Sequence, residues 1–243
     1  MDNLTLYNTE YGKVRVGKPY DGGYSICELP GKYDALISGG ISNDISFEQA
    51  FLDKYGNMPC IAFDGTVQGL PTADYRITFV QKNLGQYESN NITNLHTTIE
   101  PYFDIFMKID IEGHEFRLFP TFTEYHMKKV KQLVLEVHTP GDIELHPNYF
   151  NGLSDVKHSN LISLFANINK THTLVHVHPN NACATYYVDD VKLPNVFECT
   201  FIRNDVVHER TPNKHSLPFP IDMPNVPSHP VMTFDGYPFV HRK

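Results

Sequence analysis

An α/β domain built on an open, mostly parallel seven-stranded sheet with helices on both faces is what this sequence predicts, and three observations carry the prediction. Short apolar runs alternate with longer helix-compatible stretches, which is how βαβ units read in sequence. The chain has 243 residues, enough for one such domain with a sizeable core and too few for two full ones. Apolar residues make up 41%, charged residues 20% and aromatics 12%, which excludes disorder over most of the length.

In chain order, residues 1–34 form an extension or cap ahead of the first strand, ALISG (35–39). The other strands are PCIAF (59–63), ITFVQ (77–81), FDIFMKI (103–109), QLVLEV (132–137), HTLVHV (172–177) and FECTFI (197–202). Helices are expected at 46–55, 114–127 and 157–169, where apolar residues recur three and four apart. Ser46, with Gln49 three residues on, reads as a capping box at the start of the first helix. One domain therefore spans 1–210. From 211 to 243 prolines crowd beside His and Phe, which predicts an irregular tail packed on the domain, because proline fixes φ and removes a backbone donor.

Lys and Arg total 20 against 28 Asp and Glu, a formal charge of −8 with no five-residue basic run, so a nucleic acid partner is not expected. Cys27, Cys60, Cys183 and Cys199 are far apart and form no CxxC pair, as in a protein of a reducing compartment. The opening MDNLTLYNTE has no basic or apolar leader region, and no apolar run reaches the length of a membrane span. A cytoplasmic location is the expectation.

In a parallel sheet, ligands bind beyond the carboxyl ends of the strands, and the polar residues of interest follow the strands directly. After the first strand, Ser38-Gly39-Gly40-Ile41-Ser42-Asn43-Asp44 is either a ligand-approaching loop or an ordinary strand-to-helix turn. Asp64-Gly65-Thr66 after the second strand offers a carboxylate to ribose hydroxyls, or forms an Asp-Gly turn. Lys82 and Asn83 after the third strand reach an adenine edge or make a turn.

The fourth strand is the sharpest feature. Alternation puts Lys108, Asp110 and Glu112 on one face, so an apolar run delivers a cation and two carboxylates to its carboxyl end. Either these charges do chemistry, or a salt-bridge network must satisfy them. Glu136 and His138 share a face of the fifth strand; beside Asp110 they can converge on a proton or on a divalent cation such as Mg²⁺ or Mn²⁺, with an ion-paired Glu and a helix-capping His as the other reading. The sixth strand places His172, Leu174, His176 and His178 on one face and runs into Asn180 and Asn181. His114, His178, Asn180 and Asn181 are the candidates to touch a substrate, although a lone His is more often structural.

Taken together, RVGKPYDGGY (15–24), LISGGISNDISFEQAF (36–51), CIAFDGT (60–66), FVQKNLG (79–85), FMKIDIEGHE (106–115), LVLEVH (133–138) and VHPNN (177–181) resemble the FkbM-like class I S-adenosylmethionine-dependent methyltransferases over about 13–205. The resemblance implies a Rossmann-like sheet with an antiparallel last strand and methyl transfer to oxygen, often a sugar or glycan hydroxyl. It places Gly39, Gly40 and Ile41 against S-adenosylmethionine, with Ser42, Gly65 and Thr66 nearby, Asp64 on its ribose and Asp110 beside the methyl group. Asp110 or His138 would then be the base, with Glu112 and Glu136 orienting it or binding a cation. Asp21-Gly22-Gly23-Tyr24 also resembles the family and either folds over the cofactor or forms a β-turn.

Two other activities compete. An NAD(P)-dependent oxidoreductase shares the sheet, the loop and the acid, but the three-glycine fingerprint and a Tyr-x-x-x-Lys pair are missing. A metal-dependent hydrolase built on the His and Asp cluster lacks a ligand pair at helical i, i+4 spacing.

Overall fold

The computed structural model describes residues 1–242. The central sheet consists of β1 (Ala35–Gly39), β2 (Cys60–Phe63), β3 (Ile77–Val80), β4 (Ile105–Ile109), β5 (Val130–His138), β6 (His172–Pro179) and β7 (Val196–Arg203). Their spatial order is β6-β7-β5-β4-β1-β2-β3. β1 pairs in parallel with β2 and β4, as do β2 with β3 and β4 with β5, while β7 runs antiparallel between β5 and β6. The seven-stranded sheet with one antiparallel strand is therefore present, and each strand lies within three residues of its predicted bounds. The order reverses between β1 and β4, so a crevice opens at their carboxyl ends.

Alternation along these strands builds two apolar layers. Ile37, Met107, Leu133 and Leu135 face α6 (His158–Asn169), whose Leu161, Leu164, Phe165 and Ile168 are buried. On the other face Leu36, Phe106 and Val134 meet Phe47, Phe51 and Leu52 of α1 (Ser46–Tyr55). This second face is also covered by an antiparallel hairpin of strands Lys13–Gly17 and Gly23–Cys27, which the sequence left inside the extension. Gln132 on β5 bonds both backbone groups of Cys27, and Thr200 on β7 donates to Ser25 O, so the hairpin's inner strand is buried along its length.

The sequence expectations need three corrections. The predicted helix at 114–127 is broken into α3 (Glu115–Leu118), a 3₁₀ turn at Phe119–Thr121 and α4 (Glu124–Lys129), because Pro120 has no N–H to continue the helix. Ser46 does not form a capping box: its own N–H is accepted by Asp44 Oδ1 at 2.9 Å, and Gln49 reaches forward to Asp74 Oδ2 at 3.2 Å. The histidines of β6 do not share one face. Pairing to β7 slips between Leu174 and His176, leaving Val175 as an extra residue, so His172 and Leu174 lie on the α6 side and His176 and His178 on the hairpin side.

The proline-rich segment follows the body of the protein closely. Arg210–Pro212 pairs with Tyr7–Thr9, and Leu217, Phe234, Phe239 and Val240 are buried in the main core. Among the described residues no helix is long and apolar enough to cross a membrane.

Candidate active site

Two cavities open at the carboxyl ends of β1 and β4, of about 610 and 520 Å³. Gly40, Ser42, Asp110 and Glu112 line both, so they form the seam between them. The seam is tight because Gly40 sits at φ +75°, where a Cβ would fall 1.6 Å from Asp110 O. Only glycine allows β1 and β4 to diverge this closely.

The larger cavity lies over β2 and β3. Asp64 follows β2, and its Oδ1 accepts from Thr66 N at 2.7 Å and Thr66 Oγ1 at 2.6 Å, while Oδ2 accepts from Ser42 N at 2.8 Å. Burial raises its pKa, but these donors outweigh it and hold the carboxyl below its ordinary range. Oδ2 keeps a lone pair for an outside hydroxyl. Phe63, Leu84, Tyr87 and Ile92 supply apolar wall, and Asn83 lies against Gly65. Lys82 also lines this cavity, but its ammonium donates to Ser89 O at 2.7 Å, within its own loop. An adenosyl group therefore fits in kind: apolar side chains stand beside a fixed carboxylate. Gly39 lines neither cavity and packs under Leu84, while Ile41 belongs to the α1 core and also lines the smaller cavity. His114, expected near a substrate, lies in this larger cavity beside Arg117, and burial followed by that guanidinium lowers its pKa.

The smaller cavity is acidic and lies over β4 and β5, beneath the hairpin. Lys108 is buried and donates to Gly40 O at 2.8 Å, with its Nζ 3.9 Å from Asp110 Oδ2. That same oxygen accepts from Tyr24 OH at 2.7 Å, so the DGGY segment closes over this cavity. Glu112 follows in a left-handed conformation, φ +56°, which turns its carboxylate back to within 3.1 Å of His138 Nε2. Glu136 Oε2 lies 3.6 Å from the same nitrogen, and its Oε1 accepts from Asn180 Nδ2 at 3.1 Å. His138 Nδ1 is 2.9 Å from Asp142 Oδ2 on α5 (Pro140–Leu145). Burial acts to lower the His138 pKa, but the carboxylates of Asp142, Glu112 and Glu136 outweigh it and hold the ring well above the usual histidine range. Glu136 is pushed up by burial and by the nearby Asp110.

The triplet whose ligand atoms lie together is Asp110, Glu112 and His138, with atoms within 4.8 Å of one another. This corrects the expected set of Asp110, Glu136 and His138: Glu136 lies deeper and is tied to Asn180. Of the other residues expected near a substrate, only Asn180 lines this cavity. His178 is buried against Glu198 at 3.3 Å, and Asn181 bonds the tail, accepting from Val226 N at 2.9 Å and donating to Val226 O at 2.9 Å. Asp142 and Asn225 were not singled out from sequence, whereas Tyr24 belongs to the DGGY segment that was. Asp142 had a readable signal, four residues beyond His138 at the start of a proline-led helix, whereas Asn225 comes from the tail and donates to Glu198 at 2.9 Å.

The strand order and the reversal at β1 and β4 make this a class I methyltransferase-like fold, with the paired cavities at the carboxyl ends of those two strands. No protein-family model matches the chain, and no curated protein sequence does. Among solved structures it is similar to a chain of the complex between the Haloferax volcanii Trm112 methyltransferase activator and a methyltransferase, at 10% identity and TM-score 0.39, covering 75% of this chain and 86% of that one. It is also similar to a protein described as an rRNA-methylase from Clostridium thermocellum, at 9% identity and TM-score 0.36, covering 72% and 89%. TrmN from Thermus thermophilus is similar at 11% identity and TM-score 0.31, covering 71% of this chain and 44% of that one. These likenesses concern the fold alone.

Proposed function

We propose that the protein is an S-adenosylmethionine-dependent O-methyltransferase that acts on a hydroxyl of a sugar or glycan, in the manner of the FkbM-like enzymes its motifs resemble. The observation that supports this reading best is the seam, where Asp110 and Gly40 face a cavity suited to a nucleoside on one side and a cavity rich in carboxylates and amides on the other. When bound, S-adenosylmethionine supplies a methyl carbon activated by its positive sulfur, and that sulfur becomes the thioether as the methyl leaves.

The chain's own residues align and deprotonate. Asp64 accepts from a ribose hydroxyl, and the Gly40–Ser42 backbone lines the path to the seam. An acceptor hydroxyl held by Asn180 and Glu112 forms the new carbon–oxygen bond, and its proton passes to the Asp110 oxygen that Tyr24 leaves free. His138, held as a cation by its carboxylates, fixes Glu112 and Glu136 instead of taking the proton. The acidic, amide-lined walls favour a neutral polyol over an anionic acceptor.

A thermal-shift titration with S-adenosylhomocysteine beside NAD and NADP tests the cofactor. A ligand at a hundred times its dissociation constant stabilises the native state by about 2.7 kcal/mol, a readable rise in Tm. The expected result is a shift with S-adenosylhomocysteine alone, weakened at least about ten-fold in Asp64→Ala through loss of a charge-assisted hydrogen bond. Asp110→Asn is expected to fold normally and lose methyl transfer by about 10² or more. A shift with a nicotinamide nucleotide alone would overturn the reading.

A further inference from the structure

We infer that Asp110, Glu112 and His138 form a divalent cation site in the acceptor cavity, with Asp142 as the residue that orients the histidine. The inference rests on the methyltransferase reading for its role in the reaction, but not for the site itself.

Acidic residues at a cavity mouth are common, and what singles this group out is the imidazole. His138 is only 8% exposed, and its Nε2 faces Glu112 Oε2 at 3.1 Å and Glu136 Oε2 at 3.6 Å without an aligned hydrogen bond to either. Its other nitrogen is held by buried Asp142 at 2.9 Å. A carboxylate on Nδ1 keeps a proton there, so that the Nε2 lone pair faces the cluster once the second proton leaves, the usual arrangement behind a metal-bound histidine. Two carboxylates, from Asp110 and Glu112, complete a facial set of one nitrogen and two oxygen donors.

The three ligand atoms already lie together. Adjacent ligands at about 2.1 Å from an ion lie about 3.0 Å apart, and the present atoms, within 4.8 Å of one another, draw together on binding. The Glu112 side chain is 50% exposed, and its Oε2 already lies 3.1 Å from His138 Nε2. Lys108 does not compete for the position: its ammonium is committed to Gly40 O, 3.9 Å from Asp110 on the side already taken by Tyr24. The two carboxylates suit Mn²⁺ or Mg²⁺ and the imidazole suits a transition metal, which makes Mn²⁺ a fitting probe. Binding exchanges the Nε2 proton for the ion. In the reaction, an acceptor hydroxyl on the ion loses its proton more readily, and Asp110, ligating through one oxygen, keeps lone pairs to receive it.

The test is a titration of the full chain with Mn²⁺, followed by the electron paramagnetic resonance of the free ion, with S-adenosylhomocysteine binding measured on the same samples. One bound Mn²⁺ per chain is expected. Glu112→Gln, at a half-exposed position that leaves folding undisturbed, is expected to weaken it at least about ten-fold, and Asp142→Asn by about 10- to 100-fold with the ligands untouched. An undiminished free-ion signal with the wild-type chain, or Glu112→Gln binding as tightly as wild type, overturns the site. Mn²⁺ bound with no S-adenosylhomocysteine binding upholds the site and removes the methyltransferase reading; the reverse result removes the site alone.

Discussion

Glu115 shows how one residue can set the pH behaviour of the molecule. Its side chain is fully buried; Oε1 accepts from Ile111 N at 2.9 Å, and Oε2 has no partner among the described residues. Burial, the largest influence, raises its pKa to about 7. The sign follows from linkage. A carboxyl whose pKa is raised on folding favours the native state fully below its unfolded value, and that contribution is lost as pH rises through about 7. The loss is roughly 3 kcal/mol once the group ionises. Glu115→Gln keeps the Ile111 bond and has nothing to ionise. Its Tm is therefore expected to gain on the wild type as pH rises from about 5 to about 8; parallel curves would show that the carboxyl does not titrate in this range. The strand period alone was enough to bring Asp110, Glu112 and His138 to the same end of the sheet. It could not see that Glu112 turns back through a left-handed residue, which is why Glu136 was grouped with Asp110 and His138 in its place.

At the scale of elements, the seam between β1 and β4 depends on one missing side chain. Gly40→Ala is expected to lose S-adenosylhomocysteine binding and to lower stability by about 2 kcal/mol or more, since both the positive φ and the contact with Asp110 O must be relieved. Binding that survives with only a small Tm change would mean the loop can open without harm. The strands themselves were legible to within a few residues because apolar runs in a parallel sheet carry their own boundaries. The hairpin at 13–27 was less so. Its inner strand is buried by partners more than a hundred residues away, Gln132 and Thr200, and no local pattern announces them.

The molecule as a whole is held at its acidic end by the tail. Asp222 lies 2.8 Å from His176 Nε2 and accepts from Ser25 Oγ at 3.0 Å, and so ties tail, sheet and hairpin together, while Asn225 bonds Glu198 behind the smaller cavity. Burial acts to raise the Asp222 pKa, but His176 and the other donors hold it below the ordinary range. Asp222→Ala strands His176 and is expected to cost about 3 kcal/mol in urea denaturation; an unchanged midpoint would show the tail to be an ornament. None of this was readable in the proline-rich composition, which foretold irregular backbone but not where it would lie.

The slip at Val175 has a consequence for how the gene can be edited. Val175 is the residue that β6 has and β7 does not match, so its removal leaves Leu174, His176, Val177 and His178 each on the side they now occupy. The reading of inward and outward positions passes through that deletion without a change of phase. What disappears is a tether: Val175 O accepts from Lys13 Nζ at 2.6 Å, across to the hairpin that carries Tyr24. A chain one codon shorter would keep its sheet in step and hold the roof over Asp110 by one tie fewer, with those from Gln132 and Thr200 left in place.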